Sequence, residues 1–282
     1  MAGNPLSYRK VVDRVFLGVV IVLSLLSVVP LLLVFGHIIK EGWEAIRPSF
    51  FVNLPKPVGE AGGGIANALV GTIMLVVLAS VFALPPGIAV GIYLAEMAHG
   101  KLATVARLCV EILQGIPSIV IGIVAYLWVV RPMGGFSAFS GAIALALMML
   151  PVVVRTTEET LLLVPSSLKE ASLAVGAPYY LTVLKVVLPA ALSGIVTGAL
   201  ISIARIAGET APLLFTAFGS PYMNWNAMKP VASLPHIIFN YAISPYEEWH
   251  KLAWGASLVL IALVLCLNVL SKVIARRWRV EF

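Results

Sequence analysis

Ser166-Ser167-Leu168-Lys169-Glu170-Ala171-Ser172-Leu173-Ala174-Val175-Gly176-Ala177-Pro178, with Leu188-Pro189 ten residues further on, decides how this chain is read. It is a polar island between two long apolar segments. Ser167 stands three residues before Glu170, the spacing of a capping box, in which the serine hydroxyl accepts from the Glu170 amide and the carboxylate reaches back to the serine amide. Gly176 suits a left-handed helix end, and Pro178 prevents continuation. The spacing predicts a compact helix over 166–177 whose alanines (Ala171, Ala174, Ala177) let a partner approach closely. An ordinary loop helix satisfies the same spacing. A docking piece for a soluble partner is the alternative.

Outward from this island the chain is apolar. Hydrophobic residues make up 60% of the 282 and charged residues 11%, with a mean hydropathy of +1.01. A bilayer crossing takes roughly 20 apolar residues, and the hydropathy pattern predicts six: about 13–39, 64–96, 103–131, 136–163, 180–217 and 252–275. The expected architecture is an all-α polytopic transmembrane bundle forming one membrane domain over 1–282, with a core of about 64–275. The run over 15–39 is too long for a signal-peptide core and has no small-residue cleavage site, so it reads as a retained first span. Pro30, Pro85-Pro86, Pro117 and Pro189 fall inside apolar segments, where neighbouring helices can satisfy the freed carbonyls.

The net charge of +6 does not imply nucleic acid, because the basic residues flank apolar runs. Arg9, Lys10, Arg14, Lys101, Arg107, Arg155, Lys169, Lys185, Lys272, Arg276, Arg277 and Arg279 fall on one side. Lys40, Arg47, Lys56, Arg131, Lys229 and Lys251 fall on the other. That is 12 against 6, with Arg205 left inside a span. The positive-inside bias then puts both termini and the 166–177 helix in the cytoplasm. Two outer connections follow, about 40–63 and 218–251; the second carries Trp225, Tyr241, Tyr246 and Trp249, residues suited to a membrane interface. Gly87 and Gly91, and again Gly194 and Gly198, have the four-residue spacing that allows close helix approach.

The longer spacing of the opening stretch resembles the cytoplasmic EAA loop of ABC importer permeases. Glu170, Ala171 and Ser172 stand for Glu-Ala-Ala, Gly176 for the glycine four residues on, and Val186, Leu188 and Pro189 for the Ile-x-Leu-Pro ending. The resemblance implies a type I (MetI-like) permease fold. It also implies a coupling helix seated in a groove of an ATP-binding subunit, with Ser167, Glu170, Ala171, Ser172, Gly176 and Ala177 at the contact.

Charge inside a span is the second signal. Arg205 and Glu209 are four residues apart, one helix face, and a central arginine costs at least ~2.5–3.5 kcal/mol, so it should face a cavity or a partner. A packing salt bridge is one reading; a guanidinium fork for oxyanions, or a gating pair, is the other. Arg155-Thr156-Thr157-Glu158-Glu159 at the inner end of the fourth span is either an interfacial anchor or a cytoplasmic gate. Arg107 and Glu111 repeat the spacing and read as structural.

Further runs look like Pst-type phosphate permeases, of the PstA type: Gly63-Gly64-Ile65-Ala66-Asn67-Ala68-Leu69-Val70-Gly71-Thr72, Tyr93-Leu94-Ala95-Glu96, Gly115-Ile116-Pro117-Ser118-Ile119-Val120 and Gly208-Glu209-Thr210-Ala211-Pro212-Leu213-Leu214. This resemblance implies inorganic phosphate as cargo, a bacterial inner-membrane location, a PstC-like second permease, PstB-like ATPases and a PstS-like phosphate-binding protein. It also matches Arg155, Glu158 and Arg205 to charged positions on the phosphate path. No cofactor is expected on this chain, since ATP and Mg would sit on the partner ATPase; the sequence has no glycine-rich phosphate loop ending in Lys and Ser/Thr.

Molybdate or sulfate is the nearer alternative cargo. A secondary transporter predicts inverted repeats and helices broken at the midplane, which the sequence does not display. A membrane enzyme lacks its motifs: His37, His99, His236 and His250 are scattered, and Cys109 and Cys266 are unpaired in spacing.

Overall fold

A computed structural model describes residues 5–60, 62–97 and 100–277. His99 and Arg279 lie outside the described residues. Eleven helical segments follow in order: α1 Pro5–Trp43, α2 Pro48–Val52, α3 Ala66–Glu96, α4 Lys101–Gly115, α5 Ser118–Met133, α6 Ala138–Leu162, α7 Ser166–Ala174, α8 Tyr179–Ala207, α9 Ala211–Leu214, α10 Leu234–Ala242 and α11 Glu247–Arg277. Five of these helices are long and apolar enough to cross a membrane, six spans if α4 and α5 are one bent crossing. The described residues contain no β-strand, only one isolated bridge between Phe218 and Val231.

The third span departs from the sequence reading. It is two helices meeting at 105°, so a broken helix is present after all. Pro117 explains the break: it has no amide to donate and disfavours α geometry at the residue before it. Ile116 and Pro117 are accordingly extended, at φ −73, ψ 128 and φ −57, ψ 138. The fifth span is also shorter than 180–217. It stops at Ala207, turns through Gly208 and resumes only as the one-turn α9. Pro212 is the cause, because its ring would clash with the Gly208 carbonyl of a continued helix.

Prolines elsewhere are absorbed without a break. Wide π turns at Tyr126–Val130 and Val183–Val187 lie just before Pro132 and Pro189. Widening the turn accommodates a ring that a regular α turn would not.

The centre of the bundle is α6, gripped from two sides by the glycine pairs. A methyl group on Gly87 or Gly91 of α3 would lie 2.8 or 2.5 Å from Val153 or Thr157 of α6. One on Gly198 of α8 would lie 2.5 Å from Thr156, and one on Gly194 would collide with Thr160. Without a hydrophobic force between helices in lipid, such close packing is what holds spans together. Around it Leu75, Ala79, Ala83, Leu145, Met149, Val153 and Ile206 form the main core. α1 differs: its side chains are exposed over most of its length, and it meets α11 near its end, where His37 stands edge-on to Trp254 at 4.8 Å.

Candidate coupling helix and charged flank

α7 forms as expected but starts differently. Its N-cap is Pro165, with no side-chain capping bond, so the Ser167–Glu170 capping box is not made. Proline at φ −59, ψ 136 already sets the entry angle, which places Ser167 two residues inside the helix, past the capping position. The other end is a full Schellman motif. Gly176 sits at φ +86, its amide donates to Leu173 O at 2.9 Å, and the Ala177 amide donates to Ser172 O at 3.3 Å. Only a residue without a Cβ takes that φ freely.

The helix has two unlike faces. Ser167, Glu170, Ala171, Leu173 and Ala174 are exposed, as is Val175 just beyond. Leu168 packs inward on Leu161, Val164, Val187 and Ala191. Ser172, read as a contact residue, instead turns inward, and its hydroxyl pairs with Thr182 Oγ1 at 2.9 Å. Thr182 is fully buried, and a buried hydroxyl needs a partner. Alanine at 172 would not supply one. Lys169 also turns inward, donating to Glu96 at the end of α3 at 2.7 Å, while Tyr179 donates to the other Glu96 oxygen. Neither Lys169 nor Tyr179 was singled out from sequence, since their partner is 73 and 83 residues away.

The predicted charge pairs are rearranged. Arg205 is exposed in the last turn of α8 rather than mid-span, and Glu209 lies past the helix end. The two are therefore not on one helical face, and among the described residues no salt bridge joins them. Arg205 instead sits where the negative end of the helix dipole favours a cation.

Arg155 pairs with Glu159 at 2.7 Å on the exposed side of α6, one turn apart. Glu158 points the other way. Its side chain is 5% exposed and bonds Arg107 Nε of α4 at 2.7 Å, and Arg107 Nη2 donates to Leu94 O at 2.8 Å. Arg107 thus reaches across to α6 and α3, a role its spacing to Glu111 did not reveal. Gln114, also not anticipated, donates to Pro151 O at 3.3 Å just before the break in the third span. Arg155 and Arg205 share the α6–α8 pair: Thr156 meets Gly198, and Arg205 lies seven residues beyond it, about 10 Å along the axis.

At the end of the bundle opposite α7, the 63–72 stretch clamps the irregular chain over 215–233. Asn67 Nδ2 donates to Ser220 O at 2.7 Å, and Thr72 Oγ1 accepts from the Leu234 amide at 2.8 Å. Gly71 lies directly against the Ala232 carbonyl. Ser137 and Ser140 form the reciprocal N-terminal cap of α6, and Ser140 Oγ also donates to Thr216 O at 2.9 Å. A cavity of about 620 Å³ lies beside this clamp, lined by Pro55, Lys56, Asn67, Tyr222, His236 and Trp249 among others. Burial lowers the proton affinity of the His236 imidazole.

Together the fold and site define a polytopic α-helical membrane protein with a bent third span, exposed arginines on its α6–α8 flank and a helix, α7, open on one face. The match to binding-protein-dependent transport system inner membrane components covers residues 87–280. The chain belongs to that family, and relatives of it are named as phosphate transport system permeases. It is 42% identical to the phosphate transport system permease protein PstA of Yersinia pestis, over 95% of this chain and 91% of that one. It is 37% identical to the probable phosphate transport system permease protein PstA of Methanocaldococcus jannaschii, over 93% and 92%. Among solved structures, an inward-facing MetNI methionine ABC transporter chain superposes with a TM-score of 0.63 at 24% identity, covering 76% of this chain and 97% of that one. That likeness concerns the fold alone, and it is the MetI-like fold expected from the EAA resemblance. The protein is a multi-pass, non-catalytic membrane subunit of an ABC importer, a system that also comprises an ATP-binding subunit and a substrate-binding protein.

Proposed function

We propose that this chain forms half of the translocation pathway of an ATP-driven importer of inorganic phosphate. The observation that carries the reading is the identity of 42% with a PstA permease across 95% of the chain. A PstC-like permease completes the pathway, PstB-like subunits hydrolyse ATP, and a PstS-like protein delivers phosphate at the outer face. Both termini and α7 lie in the cytoplasm. The open face of α7, with Ser167, Glu170, Ala171 and the Gly176-Ala177 end, seats in the ATP-binding subunit, while Ser172 holds the helix from behind.

On the membrane side, Arg155 and Arg205 supply the positive charge that a phosphate oxyanion meets, each on an exposed position of the α6–α8 pair. A guanidinium presents two parallel donors to such oxygens. Glu159 pairs with Arg155 at 2.7 Å, and Glu209 stands four residues along the chain from Arg205. Glu158 contributes indirectly by fixing Arg107 between α4, α6 and α3.

Uptake by proteoliposomes containing the co-expressed partners tests this. Labelled phosphate should accumulate only with ATP inside and binding protein outside, and excess sulfate or molybdate should not compete. ATP-dependent accumulation of sulfate or molybdate in preference to phosphate would replace the cargo assignment; accumulation without ATP would end the importer reading.

A further inference from the structure

Beyond the pathway, the inner end of α3 carries a buried acid. Glu96 is its last residue. A carboxylate there faces the negative end of the helix dipole, the wrong sign for the position, and its side chain is 7% exposed. A buried acid at a helix C-terminus persists only if partners compensate it. Two do. Lys169 of α7 holds Oε1 at 2.7 Å, and Tyr179, the first residue of α8, donates to Oε2. One carboxylate therefore joins the coupling helix, the helix after it and the end of α3.

The surroundings make this junction a route rather than an isolated staple. Ser172, one turn from Lys169, is tied to Thr182, so the inner face of α7 has polar links to both α3 and α8. The same turn of α3 is held by Arg107, which donates to Leu94 O and pairs with Glu158 of α6. Along its length α3 lies against α6 through Gly87 and Gly91, without side chains to slip past. A displacement of α7 that moves Lys169 must move Glu96, strain α3, and press on the helix that carries Arg155.

We infer that Glu96 is a positioning residue for energy coupling: through its bonds to Lys169 and Tyr179 it passes the motion of α7 to α3 and α6. This rests on the reading of α7 as the seat of the ATP-binding subunit. The substitutions below leave the open face of α7 intact, so loss of coupling is separable from loss of docking.

The experiment uses the full complex in proteoliposomes and reads three quantities for each variant: co-purified ATP-binding subunit, ATP hydrolysis, and labelled phosphate uptake. Glu96→Ala should retain the ATP-binding subunit and hydrolysis while phosphate moved per ATP falls about tenfold. Tyr179→Phe, which removes one hydroxyl, should lower the same ratio about threefold. Exchanging the charges, Glu96→Lys with Lys169→Glu, should recover part of what Glu96→Lys alone loses. A ratio equal to the parent's in both Glu96→Ala and Tyr179→Phe overturns the inference. So does a drop in uptake matched by equal loss of the ATP-binding subunit, which would make Glu96 a fold staple only. If the unsubstituted complex shows no hydrolysis dependent on this chain, the docking reading fails first and this inference with it.

Discussion

The two ends of the bundle are built by opposite means. At the end opposite α7, the irregular chain over 215–233 is pressed into the helices, with Gly71 against the Ala232 backbone and Thr72, Asn67 and Ser140 each bonding main-chain groups. At the other end, α7 has no buried residue. It is held by a few side-chain bonds, Lys169 to Glu96 and Ser172 to Thr182, and by a shallow apolar contact at Leu168. Backbone-to-backbone packing gives one arrangement or none, whereas an element resting on a few polar ties can be shifted as a body. The difference fits a transporter that receives force at one end and keeps the other in register.

Glycine substitutions probe the comparison most strongly, because the two ends use glycine for different reasons. Gly71→Leu inserts a side chain where the Ala232 carbonyl already sits; it should cost about 3 kcal/mol or more and abolish recovery of folded protein in detergent. Recovery at parental yield would mean that the end opposite α7 is loosely packed. Gly176 has open space around it and a φ of +86, so Gly176→Ala should cost only about 1–2 kcal/mol of backbone strain, read as a modest fall in melting temperature. Gly176→Asp adds a charge at the same point and should fold, yet lose most co-purified ATP-binding subunit. Undiminished co-purification with phosphate-stimulated hydrolysis would remove the docking role from this helix end.

Between the ends, Arg205→Gln should lower phosphate uptake about tenfold, the worth of one charge-assisted contact, with assembly unchanged by size-exclusion chromatography. Normal uptake would exclude Arg205 from the path. The smallest effect belongs to Ser172→Ala. It leaves the buried Thr182 hydroxyl without its side-chain partner and should cost about 1 kcal/mol, seen as a small loss of thermal stability without loss of docking.

Much of the fold was legible because apolar length and basic flanks are local signals. Spans one, two, four and six fall close to α1, α3, α6 and α11. The Gly176 helix end was legible for the same reason, since a left-handed cap depends on one residue and its neighbours. What the sequence concealed is non-local or competitive. Pro165 displaced Ser167 as the start of α7, although both satisfy starting rules. Pro117 and Pro212 interrupt runs whose hydropathy stays high, so the break at 116–117 and the stop at Ala207 are invisible to a hydropathy window. The pairings of Glu158 with Arg107 and of Glu96 with Lys169 join residues 51 and 73 apart. Four-residue spacing suggested Arg107 with Glu111 and Arg205 with Glu209 instead. In the 155–159 run Arg155 pairs with Glu159 one turn on, while Glu158 turns to Arg107.

The central claim is that force from ATP enters this protein through the open face of α7. Single-cysteine cross-linking tests it directly, after the exposed Cys109 and Cys266 are replaced by serine. Ala171→Cys should cross-link to the co-expressed ATP-binding subunit in native membranes. Leu102→Cys, also exposed, at the start of α4, should not. Cross-linking at residue 102 with none at 171 would contradict the account.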